Sequence, residues 1–343
     1  MTGGGSSAIA SLFSVPGASL TVIEAMVPYH AASLRDYLRS DDAGCTPATA
    51  RAMAMTAYQR ACRFSELTPV FGLGCTAAIA TDRERRGSDR CHLCVQSAER
   101  TLALDISLTK SADRDAQETL CADALVWLMS WSLGLTREAF EMPVGAGEAR
   151  FTEVAAPAAW VDLLAGRSRQ THTPATGLIF PGSFNPIHPG HADMMRIATE
   201  LTGQPVCLEI SVRNVDKAPL DFITMEQRAR ALQDHELVFT NAPTFLEKSA
   251  LFPASTFIVG ADTVTRIAQA RYYDGESARD DAIAQLADRG IRFLVFGRLI
   301  GSEFETLSDL ALPDKLAAIC QEVDETQFRQ DINSTSLRRG DAA

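Results

Sequence analysis

In the second half of the chain, short strand-like runs alternate with longer mixed segments. The runs are GLIFP (177–181), VCLEISV (206–212), ELVFT (236–240), STFIVG (255–260) and IRFLVFG (291–297). Each is short and rich in branched or aromatic residues, the pattern of a strand buried on both faces. Residues 190–202, 224–234, 262–271 and 277–288 read as helices between them. Strands alternating with helices imply βαβ units and a parallel, doubly wound sheet, in which ligands bind beyond the carboxyl ends of the strands.

The first half reads as mixed α/β. SSAIASLF (6–13) follows a glycine cluster and has helical character, and residues 47–63 and 115–133 are helix-like and rich in Ala, Met and Leu. LTVIEAMV (20–27), PVFGLGC (69–75) and HLCVQSA (92–98) read as strands. Between the halves, AAPAAWVDLLAGRSRQTHTPAT places a short apolar helix around Trp160 before a polar tail containing Pro and Thr. The expected organisation is a first domain over 1–150, a linker with a short helix over 151–175, and a second domain over 176–343.

Composition narrows the classes. Hydrophobic residues make up 46% and charged residues 22% of 343, a globular balance with room for two domains. A formal net charge of −11 argues against a broad nucleic-acid surface, yet leaves room for a local basic pocket holding a phosphorylated small molecule. No apolar run reaches the roughly 18 residues of a membrane span, and MTGGGSSAIASLF lacks the basic start of a signal peptide. The eight cysteines are scattered, which suits reduced thiols and a cytoplasmic location. Cys91-His92-Leu93-Cys94 is a lone CxxC, and the same residues read as a strand, so no metal is assigned to it.

The strongest chemical signal is LIFPGSFNPIHPGH (178–191). Gly182 and Ser183 leave a strand in a tight turn, where backbone N–H groups can approach a phosphate. Phe184 follows, and His188 and His191 bracket Gly190 as the next helix starts, where the free N–H groups and the helix dipole favour anions. A second motif, Ile332-Asn333-Ser334-Thr335-Ser336-Leu337-Arg338, places two hydroxyls at a helix start and an arginine one turn on, a set suited to phosphate.

These residues resemble the HxGH signature of the nucleotidylyltransferase superfamily, and GSFNPIHPGH is most similar to the nicotinamide- and nicotinate-mononucleotide adenylyltransferases. The second motif resembles the family's I-S-S-T-x-x-R, with Asn333 replacing the first serine. The resemblance implies a Rossmann-like domain in which His188, His191, Lys217 and Arg338 are catalytic donors. Gly182, Ser183, Phe184, Gly190, Ser334 and Thr335 would bind the nucleotide, with Gly260 and Asp262 matching the family's G-x-D at the adenosine ribose. Arg228 matches a recurring arginine, and Tyr272 and Tyr273 stand where relatives stack an aromatic on the pyridine ring. The implied substrates are ATP, with Mg²⁺, and a pyridine mononucleotide, in a homo-oligomer that binds neither nucleic acid nor membrane. Class I aminoacyl-tRNA synthetases carry a related HIGH motif, but no KMSKS loop is found here.

Residues 2–29 resemble the C-terminal domain of the CinA family, which includes nicotinamide-mononucleotide deamidases. The shared elements are T-G-G, the turn from Val15 to Ser19, and Tyr29; TARAMAMTAYQRA continues the likeness. The family's nucleophilic serine, in E-S-C-T-G-G, has no counterpart because the sequence begins Met1-Thr2, which a start codon placed too late would also explain. The family's lysine falls near Leu34, and T-G-I-A-G-P is replaced by GLGCTAA. Ser6 and Ser7 are nucleophile candidates only by proximity, and this half is expected to be catalytically silent.

Three functions follow from this reading. The first is an adenylyltransferase making a pyridine dinucleotide. The second is another adenylyl- or cytidylyltransferase, such as one resembling pantetheine-phosphate adenylyltransferase. The third is a nucleotide-sensing pseudoenzyme.

Overall fold

A computed structural model describes residues 1–41, 43–66, 68–82, 87–135, 148–214, 218–300 and 303–329. The chain divides into two compact units, Met1–Val161 with Asp216–Glu226, and Asp162–Val215 with Gln227–Ala343.

In the first unit, helices α1 (Ser7–Phe13), α2 (Ala31–Leu38) and α3 (Pro47–Phe64) precede strands β1 (Gly72–Ala78), β2 (Arg90–Gln96) and β3 (Arg100–Ser107), followed by α4 (Arg114–Ser132) and β4 (Ala149–Ala155). The four strands form one antiparallel sheet in chain order. Local chemistry sets the helix starts. Thr46 caps α3 by accepting from the Thr49 N–H at 3.2 Å with Pro47 just inside, and Asp113 caps α4 by accepting from Ala116 at 2.8 Å.

Strand alternation sends Cys75, Cys91, Leu93, Leu104 and Ile106 into a core with Leu125, Trp127 and Leu128 of α4. On the other face Cys94 packs with Ala50 and Ala54 of α3. The Cys91–Cys94 pair therefore lies on opposite faces of β2 and cannot hold one ion between its two thiols. Gly72 and Gly74 let α3 lie close against β1: a Cβ at either would sit 2.1 Å from a carbonyl oxygen of α3.

The segment around Ile23 departs from its expected strand. Residues 22–29 have no regular structure, and Ile23, Met26 and Val27 are largely exposed. Their apolar spacing suits a strand, but strands are fixed by a partner, and this segment pairs with no described strand. The expected linker differs as well. Its first residues complete β4, which pairs with β3 from Ala149 to Ala155, and α5 (Ala158–Leu164) follows.

The second unit holds β5 (Leu178–Pro181), α6 (Pro189–Thr202), β6 (Val206–Ser211), β7 (Glu236–Thr240), α8 (Phe245–Leu251), β8 (Thr256–Gly260), α9 (Ala261–Ala268), α10 (Glu276–Asp288), β9 (Arg292–Phe296), α11 (Asp314–Ala317) and β12 (Cys320–Val323). Helix α7 (Phe222–Ala231) begins in residues grouped with the first unit, and a hairpin of β10 (Arg298–Ile300) and β11 (Glu303–Glu305) follows β9. Six strands run parallel in the order β12-β9-β8-β5-β6-β7. This is the doubly wound sheet expected from the alternation, and five of its six strands, all but β12, were legible within one or two residues. Phe257 and Phe293 stack at 6.0 Å between neighbouring strands, with Phe245 of α8 edge-on to both at 5.4 Å. Buried, directional aromatic packing of this kind holds helix to sheet.

The strand order fixes where a ligand belongs. From β5 the chain winds outward through β6 and β7 on one side, then returns to add β8, β9 and β12 on the other. The topological switch point therefore lies between β5 and β8, at their carboxyl ends.

Candidate functional site

The loop after β5 opens at that switch point. The Gly182 N–H donates to the Glu209 carbonyl of β6 at 2.9 Å, tying the turn to the sheet. A Cβ at Gly182 would meet the Phe184 ring at 2.7 Å. Phe184 itself takes a left-handed backbone, φ 43°, and is buried. Its ring packs edge-on to Phe180 and to His191, both at 5.2 Å. The Phe184 side chain thus supports the loop from beneath, while Ser183 is exposed above it.

Pro189 opens α6, and His188 stands in extended backbone as its N-cap. The His188 backbone N–H donates to His191 Nδ1 at 3.2 Å. That bond fixes the neutral tautomer of His191: Nδ1 is the acceptor, so Nε2 carries the proton and remains a donor. The two rings lie 3.7 Å apart. His188 is 6% exposed, and neither of its ring nitrogens has a hydrogen-bond partner among the described residues. Buried polar atoms are nearly always paired, so the orphaned imidazole at a helix N-terminus makes His188 a candidate ligand contact. Gly190, buried between the two histidines, adds no side chain there.

Burial, reinforced by the Arg298 charge, lowers the His188 pKa. Burial, then His188 and Arg298, push His191 down from 6.5 to about 3. His191 is therefore a neutral imidazole at physiological pH.

Arg298 is the residue that the sequence reading missed. It follows Gly297 at the end of β9, and its charge reaches both histidines. Its Nε donates to Asp262 Oδ1 at 3.3 Å, while Arg266 stands 3.6 Å from Oδ2. Asp262 lies in the first turn of α9, directly after Gly260, the last residue of β8. A Cβ at Gly260 would crowd Asp262 Oδ1 at 2.6 Å and the Arg298 side chain at 3.1 Å. The available signal was positional: a cation just past the carboxyl end of a central strand.

Beneath the loop, Lys248 Nζ donates to both carboxylate oxygens of Glu209 at 2.7 Å, and the Thr240 hydroxyl donates to one of them. Glu209 is fully buried and Lys248 nearly so. This enclosed ion pair sits on β6, the strand whose carbonyl anchors Gly182.

The other expected positions are more dispersed. Tyr272 is exposed and already carries its neighbour's guanidinium, with Arg271 4.9 Å from the ring centre. Tyr273 is half-buried, which raises its phenol pKa against an opposing pull from Arg279. Arg228 is half-buried near the end of α7. Lys217, Ser334, Thr335 and Arg338 lie outside the described residues, as does Asn333.

In the first unit the Ser6 hydroxyl donates to Glu118 at 2.7 Å, and the same carboxylate accepts the N–H groups of Gly5 at 2.7 Å and Ser7 at 3.1 Å. Burial would raise the Glu118 pKa, but these bonds outweigh it and hold the group below its usual value. Glu118 is occupied as an anionic cap, which makes it a poor base for activating Ser6.

No curated protein matched the chain. Residues 179–340, from β5 past the second phosphate-type motif, match the family described as cytidylyltransferase-like. Residues 179–340 are thus similar to a cytidylyltransferase-like domain of the nucleotidyltransferase superfamily.

Proposed function

We propose that this domain transfers the adenylyl group of ATP to the phosphate of a pyridine mononucleotide, releasing pyrophosphate. The observation that carries the reading is the orphaned imidazole of His188 beside the Nε2 donor of His191, at a helix N-terminus on the switch point. A triphosphate would satisfy donors there that the protein leaves free.

In the reaction, an oxygen of the mononucleotide phosphate attacks the α-phosphorus of ATP. The bond to the α,β-bridging oxygen breaks, and that oxygen leaves with pyrophosphate. No covalent enzyme intermediate is required. The chain's contribution is alignment and stabilisation of developing charge. His191 donates through Nε2–H, His188 through whichever nitrogen its neutral ring protonates, and Arg298 supplies a fixed positive charge next to both. By the G-x-D resemblance Asp262 would accept a ribose hydroxyl, in competition with its present bond to Arg298. Lys217 and Arg338 are proposed as further phosphate donors on the motif resemblance alone.

Among the described residues, no group of three or more His, Cys, Asp or Glu gathers to hold a metal. The resemblance implies Mg²⁺, which would enter with the nucleotide and neutralise its phosphate charge. The pyridine acceptor rests on the GSFNPIHPGH motif, the Asp262 position and the CinA-like resemblance of the first half. The cytidylyltransferase-like match keeps CTP as a second donor to test.

The test is pyrophosphate release with Mg²⁺ and either ATP or CTP, against nicotinamide mononucleotide, nicotinate mononucleotide and phosphopantetheine in turn. Release with ATP and one pyridine mononucleotide is expected. Release only with CTP or only with phosphopantetheine would replace this reading with another member of the superfamily. Nucleotide binding without release from any pair would favour the sensor.

A further inference from the structure

The first unit contains a cavity of about 490 Å³ that adjoins a smaller concavity at the glycine turn near Ser6, the two sharing only Val27. Its apolar wall comes from Met26, Val27 and Pro28, and Tyr37 of α2 lines it. Three arginines line it: Arg39, at the C-cap of α2, and Arg60 and Arg63, one turn apart on α3. Arg60 is held by Glu24, with bonds of 2.7 and 2.5 Å to its two carboxylate oxygens. The side-chain guanidiniums of Arg39 and Arg63 form no hydrogen bond or ion pair with any described residue, although the Arg39 backbone N–H donates to the Asp36 carbonyl at 3.2 Å.

In a chain of net charge −11, acidic partners are abundant, so two unpaired guanidiniums beside a third are not a product of overall composition. Three like charges around one cavity repel each other unless an anion enters. Asp36 also lines the cavity but forms no ion pair with them. Arg39 further adopts a left-handed backbone, φ 50°, which an arginine seldom takes and which fixes its Cα at the end of α2. Burial, against an opposing pull from Arg60, raises the Tyr37 phenol pKa, so the ring stays neutral and its hydroxyl can donate. Volume, apolar wall, aromatic ring and clustered guanidiniums together match a flat ring bearing a phosphate, within the usual size of a small-molecule site.

We propose that this cavity is a second ligand site, which binds a phosphomonoester of mononucleotide size, with Arg39 and Arg63 holding the phosphate and Tyr37 against the ring. The site lies wholly within the first unit and is independent of the nucleotidyl-transfer reading. It would give the half that lacks an assignable nucleophile a binding role without chemistry.

The test is calorimetric titration of the full-length chain with AMP, in a His188→Ala/His191→Ala background that disables the other candidate site. One AMP per chain is expected to bind. Adding Arg39→Ser and Arg63→Ser should weaken binding by about 100-fold, since each charge-assisted contact contributes roughly tenfold or more. Arg35→Ser, on α2 but outside the cavity lining, should leave it unchanged. All three arginines are exposed, so the variants should fold, as checked by circular dichroism. Absence of AMP binding in the histidine background would overturn the proposal, and so would binding unaffected by the double arginine substitution. Pyrophosphate release by the otherwise unmodified chain tests the other unit and is read separately.

Discussion

The imidazoles of His188 and His191 stand 3.7 Å apart at the start of one helix, yet only His191 has a hydrogen-bond partner among the described residues. The two should therefore respond differently to the same change. His188→Leu removes two buried, unpaired nitrogens and should leave stability unchanged or raise it by about 1 kcal/mol. His191→Leu also removes the acceptor of the His188 N–H and should lower stability by about 1 kcal/mol. Both should cost ~10²–10³ in turnover, the usual loss for one transition-state donor. Urea unfolding beside pyrophosphate release separates the effects. A His188→Leu protein that turns over normally would remove the basis of the functional proposal.

His191 also predicts how stability depends on pH. Its pKa falls from 6.5 to about 3 on folding, so the folded state excludes a proton that the unfolded chain accepts. For a depressed histidine, the stabilising contribution is complete above pH 6.5 and declines as pH falls towards 3. Thermal melts across this window should show a downward slope that His191→Gln makes shallower. An identical slope in the variant would mean that carboxylate protonation alone explains the acid sensitivity.

The sheet and the histidine loop were legible because both depend on local pattern. Runs such as TFIVG and RFLVF are buried on both faces and carry a continuous apolar signal, and GSFNPIHPGH carries its turn and helix start within ten residues. What was missed depends on distant partners. β12 is CQEV, with too few apolar residues to stand out, and it becomes a strand only by pairing with β9. LTVIEAMV has strand-like spacing but no partner strand among the described residues. Arg298 gains its significance from a fold that brings the end of β9 beside Asp262 and the histidines, a proximity that no spacing along the chain reveals.

The Glu209–Lys248 pair should behave as a buried ion pair whose halves cannot be removed singly. Lys248→Met leaves the Glu209 carboxylate enclosed with only the Thr240 hydroxyl as a side-chain partner and should cost about 3–5 kcal/mol. The double change Glu209→Gln/Lys248→Met removes both charges and should recover most of that loss. Urea unfolding midpoints for the two proteins check the prediction. A double variant no more stable than the single one would show that Lys248 acts through packing of its stem. Because the Glu209 carbonyl holds Gly182, the single variant should also lose turnover before it unfolds.

Gly182→Ala tests the loop itself. The added methyl would meet the Phe184 ring at 2.7 Å, and that ring is enclosed between Phe180 and His191. Crowding of a packed site typically costs about 1–3 kcal/mol. Pairing the change with Phe184→Leu should relieve part of that cost, since the obstructing ring is gone. A thermal melt of the three proteins decides it, and an undisturbed Gly182→Ala protein would mean that the loop can shift to accept the methyl.

Arg298 is placed to contribute to both nucleotide affinity and turnover, because it touches Asp262 and acts electrostatically on the histidine pair. Arg298→Gln removes a positive charge that adds to burial in lowering both imidazole pKa values. Histidine resonances followed by NMR should titrate at higher pH in the variant, with His191 moving upward from about 3. The same change frees Asp262 Oδ1, leaving Arg266 at 3.6 Å as its remaining ion-pair partner. If Arg298 also binds phosphate, KM for the nucleotide should rise and kcat should fall by about tenfold or more. A histidine shift with unchanged kinetics would limit Arg298 to holding the site's charge balance. A kinetic loss together with the shift would place it among the groups that meet the substrate.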